Sequence, residues 1–109
     1  MNKYFPEMKK NFGFGCMRFP MANDQVDIPA VQEMVDAFLE AGFNYFDTAR
    51  PYHGGNSEAV LKEVLTSRYP RERYLLTNKL SPTCFETEAE ILPFFESQLE
   101  RCGVDYFDF

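Results

Sequence analysis

Asp47-Thr48-Ala49-Arg50-Pro51-Tyr52 sets a carboxylate and a phenol five positions apart directly after a strand-like run, and Tyr74-Leu75-Leu76-Thr77-Asn78-Lys79 ends a second such run on a lysine. The three residue types have complementary chemical tasks. A phenol is a poor proton donor near neutral pH, with an unperturbed pKa of about 10, and a neighbouring ammonium lowers that value by favouring the phenolate. Tyr52 beside Lys79 can therefore serve as a general acid, with Asp47 holding the lysine charged and oriented.

Outward from these two runs the pattern alternates between strand and helix, the signature of βα units feeding a parallel sheet. Residues 12–17 read as a short first strand whose glycines let the backbone approach another group closely. Val31, Met34, Val35, Phe38 and Leu39 follow i, i+3, i+4, i+7, i+8 spacing and predict an apolar helical face. Asp27 and Pro29 suit the start of that helix and Gly42 its end. Residues 44–47 form the second predicted strand. Val60, Leu61, Val64 and Leu65 mark a second amphipathic helix, opened by Asn56-Ser57 and closed before Pro70. Residues 74–80 give the third strand.

Thr87-Glu88-Ala89-Glu90 fits a capping box, and Ile91, Leu92, Phe95, Leu99 and Cys102 predict the buried face of a third helix. Pro93 predicts a kink there or a helix that properly starts at that point. Residues 106–109 read as the beginning of a fourth strand. With no internal repeat beyond the βα period, no low-complexity tract and no linker rich in Gly or Ser, residues 1–109 are expected to form one cooperative unit. Three βα units and a strand stub leave a sheet edge unpaired and an interior face open, so self-association, aggregation or a partly molten state is expected of the chain alone.

With 45% hydrophobic and 17% aromatic residues, the latter dominated by twelve Phe, the composition is that of a globular core. Eleven Lys and Arg against seventeen Asp and Glu give a net charge of -6, which argues against nucleic acid as a partner. Cys16, Cys84 and Cys102 are odd in number, far apart and never in a C-x-x-C pair, so they indicate neither a disulfide framework nor a metal site. A reducing cytoplasm is the expected setting. Residues 1–10 carry three lysines without an apolar core of signal-peptide length, and no apolar run is long enough to span a bilayer.

Four segments in order resemble the aldo-keto reductase family. They are Gly13-Phe14-Gly15-Cys16-Met17-Arg18-Phe19-Pro20, Gly42-Phe43-Asn44-Tyr45-Phe46-Asp47-Thr48-Ala49, Tyr52-His53-Gly54-Gly55-Asn56-Ser57-Glu58 and Arg101-Cys102-Gly103-Val104-Asp105-Tyr106-Phe107-Asp108. The resemblance implies a (β/α)8 TIM barrel, of which this chain would be a partial barrel of about three βα units plus the start of a fourth strand. It also implies reduction of aldehydes and ketones, small carbonyl substrates, with NADPH or NADH. The family's catalytic tetrad of Asp, Tyr, Lys and His falls on Asp47, Tyr52 and Lys79, with the histidine expected beyond Phe109. A complete barrel takes about 250 residues, so the chain reads as an N-terminal part that is inactive alone. The Tyr52-His53-Gly54-Gly55 style further resembles a microbial branch whose members often carry a C-terminal ferredoxin-like iron-sulfur region.

Each candidate has a plainer reading. Tyr52 alone would be a surface aromatic, Lys79 a solvated strand-end lysine and Asp47 a turn or cap residue. Their joint spacing among the flanking motifs carries the catalytic assignment. His53, the single histidine, reads as a loop-structuring residue or as part of the substrate pocket, not as the fourth tetrad member. The Gly13-Phe14-Gly15 pair is no Rossmann fingerprint, because Arg18 stands where the third glycine belongs. By resemblance the loop closes over the nicotinamide ribose, which makes Gly15, Cys16, Met17 and Arg18 candidate cofactor contacts; a tight turn at the barrel rim explains the same residues. Gly54-Gly55 more readily turns the loop into a helix than cradles phosphate. Besides the reductase reading, two others stand: a noncatalytic half-barrel that assembles through its open edges, and a fragment whose biology belongs to a longer protein.

Overall fold

The structure, a computed structural model, describes residues 3–109; the first two residues of the expected 1–109 unit lie outside it. Its strands are β1 (Gly13–Gly15), β2 (Met21–Ala22), β3 (Gln25–Val26), β4 (Tyr45–Asp47) and β5 (Leu75–Thr77). Its helices are α1 (Ile28–Glu40), α2 (Ser57–Leu61) and α3 (Ile91–Cys102). β1, β4 and β5 make a parallel sheet in that order, with Gly15, Asp47 and Thr77 in register across its C-terminal edge. This is a mixed α/β arrangement matching a fragment of a (β/α)8 barrel. The described chain measures 42 × 41 × 20 Å, a slab of one sheet layer backed by one helix layer.

Strand alternation divides the side chains between two faces. Phe14, Phe46 and Leu76 point toward the helices and join Val31, Val35, Leu39, Val60, Leu61, Val64 and Leu65 in the core. α1 starts at Asp27, whose carboxylate accepts the Ala30 N–H at 3.2 Å, and its end is marked by Gly42 at φ 93°. Met34, expected in the buried stripe, is 45% exposed. It sits on the edge of the stripe beyond β1, where it shares a shallow apolar groove with Phe12, Phe14, Phe38 and Phe43.

The second helix buries Val60, Leu61, Val64 and Leu65 as the spacing predicts, but α2 passes into a π-helical turn at Lys62–Thr66. Neither Asn56 nor Ser57 caps it through a side chain. Ser57 is buried instead, donating to the Cys16 carbonyl at 2.9 Å and lying 2.9 Å from the Thr48 hydroxyl. In α3 the capping box of Thr87 and Glu90 is present, followed by a single 3-10 turn. Pro93 falls in the first turn of the α-helix, where its missing N–H costs no intrahelical bond, so no late start follows. The helix turns Phe94, Gln98 and Cys102 inward, leaving Leu92 63% and Phe95 39% exposed, against the expected stripe.

Residues 106–109 run beside β5 without becoming a regular strand. Asp108 N–H donates to Leu76 O at 2.9 Å and Asn78 N–H to Phe109 O at 3.2 Å. The Asp108 carboxylate also accepts the Leu76 N–H at 2.8 Å, a side chain acting where a strand carbonyl would. The sheet's inner face is partly roofed by Phe109, which packs on Phe5 and Tyr45. The β2–β3 hairpin was not expected; its two-residue turn has Asn23 and Asp24 both at positive φ, the pairing a tight hairpin requires. Among the described residues no helix is long and apolar enough to cross a membrane.

Leu61 has no solvent exposure, so Leu61→Ala should cost about 2–5 kcal/mol. Met34→Ala, on the groove, should cost about 0.5 kcal/mol. Urea unfolding checks both, with the Leu61 variant lowering the midpoint at an unchanged m-value.

Candidate active site

Asp47 closes β4 on the inner face of the sheet, and its carbonyl accepts the Cys16 N–H at 2.9 Å. Lys79 stands two residues past β5 and reaches back across the edge. Its Nζ lies 2.5 Å from Asp47 Oδ1 and donates to Thr48 O at 3.0 Å. The same ammonium sits over the Tyr52 ring, 4.9 Å from its centroid. Tyr52 opens the short 3-10 turn Tyr52–Gly55 that follows β4. Strand ends thus fix the carboxylate and the ammonium, and a loop brings the phenol to them. The Asp47 and Lys79 side chains keep 38% and 43% of their surface, so the pair is open to a ligand.

Partial burial pulls the Lys79 pKa down, but its bonds to Asp47 and its interaction with the Tyr52 hydroxyl outweigh that, and the balance lies above the ordinary lysine value. The lysine is therefore held as ammonium at every physiological pH.

Gly15 is level with Asp47 across the ladder, and a Cβ built there would meet nothing within 4 Å. Along this inner face runs a cavity of about 440 Å³ lined by Phe12, Gly13, Gly15, Tyr45 and Asp47, among others. Met17 and Arg18 are exposed just beyond it. These positions leave room for a planar ring beside Asp47, which fits the nicotinamide end of a dinucleotide. Cys16 does not belong with them. Its side chain is fully buried, its N–H is spent on Asp47 and its carbonyl on Ser57, and burial pushes its thiol far above the usual range. Cys102 is likewise pushed up to about 12, by burial first and then by the Glu58 carboxylate. Neither thiol is a nucleophile.

His53 adopts the left-handed conformation (φ 52°, ψ 44°) and its Nε2 accepts the Phe19 N–H at 2.8 Å while its ring stacks on Phe19 at 5.1 Å. It lines a groove of about 500 Å³ with Met21, Val26, Asn56 and Glu63, and none of Asp47, Tyr52 or Lys79 lines that groove. The histidine ties the Tyr52 loop to the chain leaving β1 rather than sharing a pocket with the other three.

Sequence reading passed over the polar groups beneath the site. Glu58 is fully buried, Gln98 is 1% exposed, and Asn78 bridges them. Gln98 carried a signal, since it falls in register with Phe94 and Cys102 on what becomes the inward stripe of α3.

A parallel βαβ sheet with an Asp–Lys–Tyr cluster at its C-terminal edge places the site where (β/α)8 enzymes carry theirs. The family model described as "Aldo/keto reductase family" matches residues 11–109, and the chain belongs to this oxidoreductase family. An aldo-keto reductase of Mycobacterium sp. (strain MCS) is 32% identical over 105 residues, covering 94% of this chain and 35% of that protein. A putative aryl-alcohol dehydrogenase of Saccharomyces cerevisiae is 41% identical over 49 residues, covering 45% of this chain and 23% of that protein. Among solved structures, an aldo-keto reductase of Klebsiella pneumoniae in complex with NADPH superposes with a TM-score of 0.71 at 25% identity, covering 88% of this chain and 32% of that one. The holo form of an aldo-keto reductase from Bacillus halodurans gives 0.68 at 30% identity, covering 88% and 33%. The chain spans about a third or less of the length of the curated relatives it matches.

A raised Lys79 pKa means that the folded chain binds this proton more tightly than the unfolded one. The resulting stability is fully present below the unfolded value of about 10.4 and is lost as pH rises through the higher folded value. Stability should therefore fall more steeply above about pH 10 in the wild type than in Asp47→Asn. Denaturant titrations across that range check this, and parallel slopes would remove the Asp47 bond as the cause.

Proposed function

We propose that the chain supplies the Asp, Tyr and Lys groups of an NADPH-dependent (or NADH-dependent) carbonyl reductase acting on aldehydes and ketones. One observation carries the reading: a lysine held charged by a 2.5 Å carboxylate bond lies directly over the only tyrosine of the adjoining loop. When bound, the nicotinamide supplies the hydride that reaches the carbonyl carbon. Tyr52 Oη gives its proton to the oxygen as negative charge develops there, and Lys79 stabilises the phenolate left behind. Asp47 keeps Lys79 from turning into solvent. Preorganised charge of this kind is commonly worth about 3–4 kcal/mol. Gly15, Met17 and Arg18 would border the nicotinamide end. The NADPH complex of the Klebsiella relative supports the choice of cofactor.

His53 cannot stand in for a tetrad histidine, because Phe19 occupies its Nε2. Full activity therefore calls for an imidazole from elsewhere, which makes the chain on its own inactive in this reading. The free thiols of Cys16, Cys84 and Cys102 suit a reducing, cytoplasmic setting. In the enzyme containing this chain, Tyr52→Phe should lower carbonyl reduction at least about a hundredfold while leaving NADPH affinity unchanged. Steady-state kinetics beside cofactor titration checks this, and lost cofactor binding would count against the assignment.

A second reading has its own observation. Phe12 and Met34 at one sheet edge and Leu80, Phe95 and Phe109 at the other are exposed. A noncatalytic half-barrel that pairs these edges with another copy should sediment as a defined dimer and melt cooperatively. Concentration-dependent aggregation would oppose it.

A further inference from the structure

Lys79 lies beyond the last residue of β5, so no strand ladder holds its peptide. Side chains hold it instead. Its N–H donates to Asn78 Oδ1 at 2.8 Å, and its carbonyl accepts from Gln98 Nε2 at 2.9 Å. Gln98 Nε2 also lies 3.2 Å from Asn78 Oδ1, and Asn78 Nδ2 donates to Glu58 Oε2 at 2.8 Å. The other Glu58 oxygen takes Arg50 Nε and faces Arg101 Nε at 3.3 Å. Arg50 is itself fixed by Ser97 Oγ at 2.8 Å and by the Phe94 ring.

We infer that Glu58 is a positioning residue for Lys79, acting through Asn78 and Gln98. An ionised carboxylate only accepts hydrogen bonds. Asn78 must therefore turn its NH₂ toward Glu58, which turns its oxygen toward the Lys79 N–H. With that oxygen in place, Gln98 presents its own NH₂, which is the group the Lys79 carbonyl needs. One buried charge thus sets the polarity of every bond that holds the lysine's backbone. None of these residues lies among Asp47, Tyr52 and Thr48, which hold the ammonium end, so backbone and side chain are secured by separate sets of groups. Glu58→Gln removes the constraint, because a glutamine amide can offer Asn78 either an acceptor or a donor. Gln98→Met keeps the volume and removes the donor to the Lys79 carbonyl.

The inference rests on the reading of Lys79 as the electrostatic group of the site, but its test reads Lys79 itself. Hydrogen exchange at the Lys79 amide and NMR titration of its Cε resonance would be measured in the wild type, Glu58→Gln and Gln98→Met. The amides of Leu61 and Leu76 report on the core. The expected result is exchange at Lys79 faster by about tenfold or more, with its titration midpoint moved down toward the ordinary lysine value, while the core amides keep their protection. An unchanged Lys79 in folded variants overturns the inference. Loss of protection at the core amides in both variants assigns Glu58 and Gln98 to stability alone and overturns it equally. Neither result depends on turnover, so failure here is separable from failure of the reductase reading.

Discussion

A carboxylate with no contact with water must be compensated where it lies, and Glu58 imposes that condition on everything around it. Removing a partner from a buried ion pair typically costs about 3–5 kcal/mol, so the groups that satisfy Glu58 are not free to move independently. Arg50 comes from the loop after β4, Asn78 from the end of β5 and Arg101 from α3. Three elements that hydrophobic contact alone would let slide are thereby locked in register. Apolar burial brings α2 and α3 together, since Val64, Leu65 and Cys102 share one core. The charge decides which way α3 is rotated. That rotation is why Gln98 faces inward while Leu92 and Phe95 face out.

The same condition explains which parts were legible in the sequence. Regular periodicity located α1, the second helix and all three parallel strands, because Val31, Val35 and Leu39, or Val60, Leu61, Val64 and Leu65, bury themselves wherever the register allows. Asp47, Tyr52 and Lys79 were read from their joint spacing among flanking motifs that resemble the family, and the structure brings the three together. The face of α3 was not legible, because periodicity ranks residues by hydrophobicity, and the register that Gln98 shares with Phe94 and Cys102 is outweighed by the more apolar stripe through Leu92 and Phe95. Only the partners of Gln98 make its burial favourable, and they lie about twenty residues away in sequence. Cys16 misled for a related reason. Neighbours in a loop were read as a set, whereas the chain turns each one differently, sending Cys16 into the core and Met17 and Arg18 outward. The hairpin at Asn23 and Asp24 had a turn signal, but flanking strands of two residues each leave no alternation to detect.

The sheet's two faces differ in how complete they are. Toward the helices, Phe46 and Leu76 are fully enclosed and Phe14 packs against them at the edge of the core. Toward the interior, Leu75 and Thr77 are also buried, while Gly13 and Gly15 stay open. A Cβ at Gly13 would fall 2.9 Å from the Tyr45 ring, so the absence of a side chain there is what lets β1 and β4 pair closely at their lower end. At the upper end, the same absence leaves the space beside Asp47 that a flat ring can enter. One strand of two glycines thus serves packing at one end and access at the other.

Precision in the candidate site is unevenly distributed, and the distribution has a physical reason. Asp47 and Lys79 descend from strands whose positions are set by the core and by Glu58. Tyr52 sits on a loop in which His53, Gly54 and Gly55 all take positive φ. For a residue with a Cβ, the left-handed conformation costs about 1–2 kcal/mol. The bond from Phe19 N–H to His53 Nε2, together with the stacked rings, offsets a cost of that size. The loop is thus held at a few points, by Phe19 at His53 and by Arg101 at the Gly55 carbonyl, rather than by apolar burial of its own, and the phenol is the member of the trio with the loosest backbone anchorage. That suits the division of labour among the three. In the proposed reduction the ammonium would keep a fixed potential at the site, whereas the proton donor would have to follow an oxygen whose position depends on the substrate.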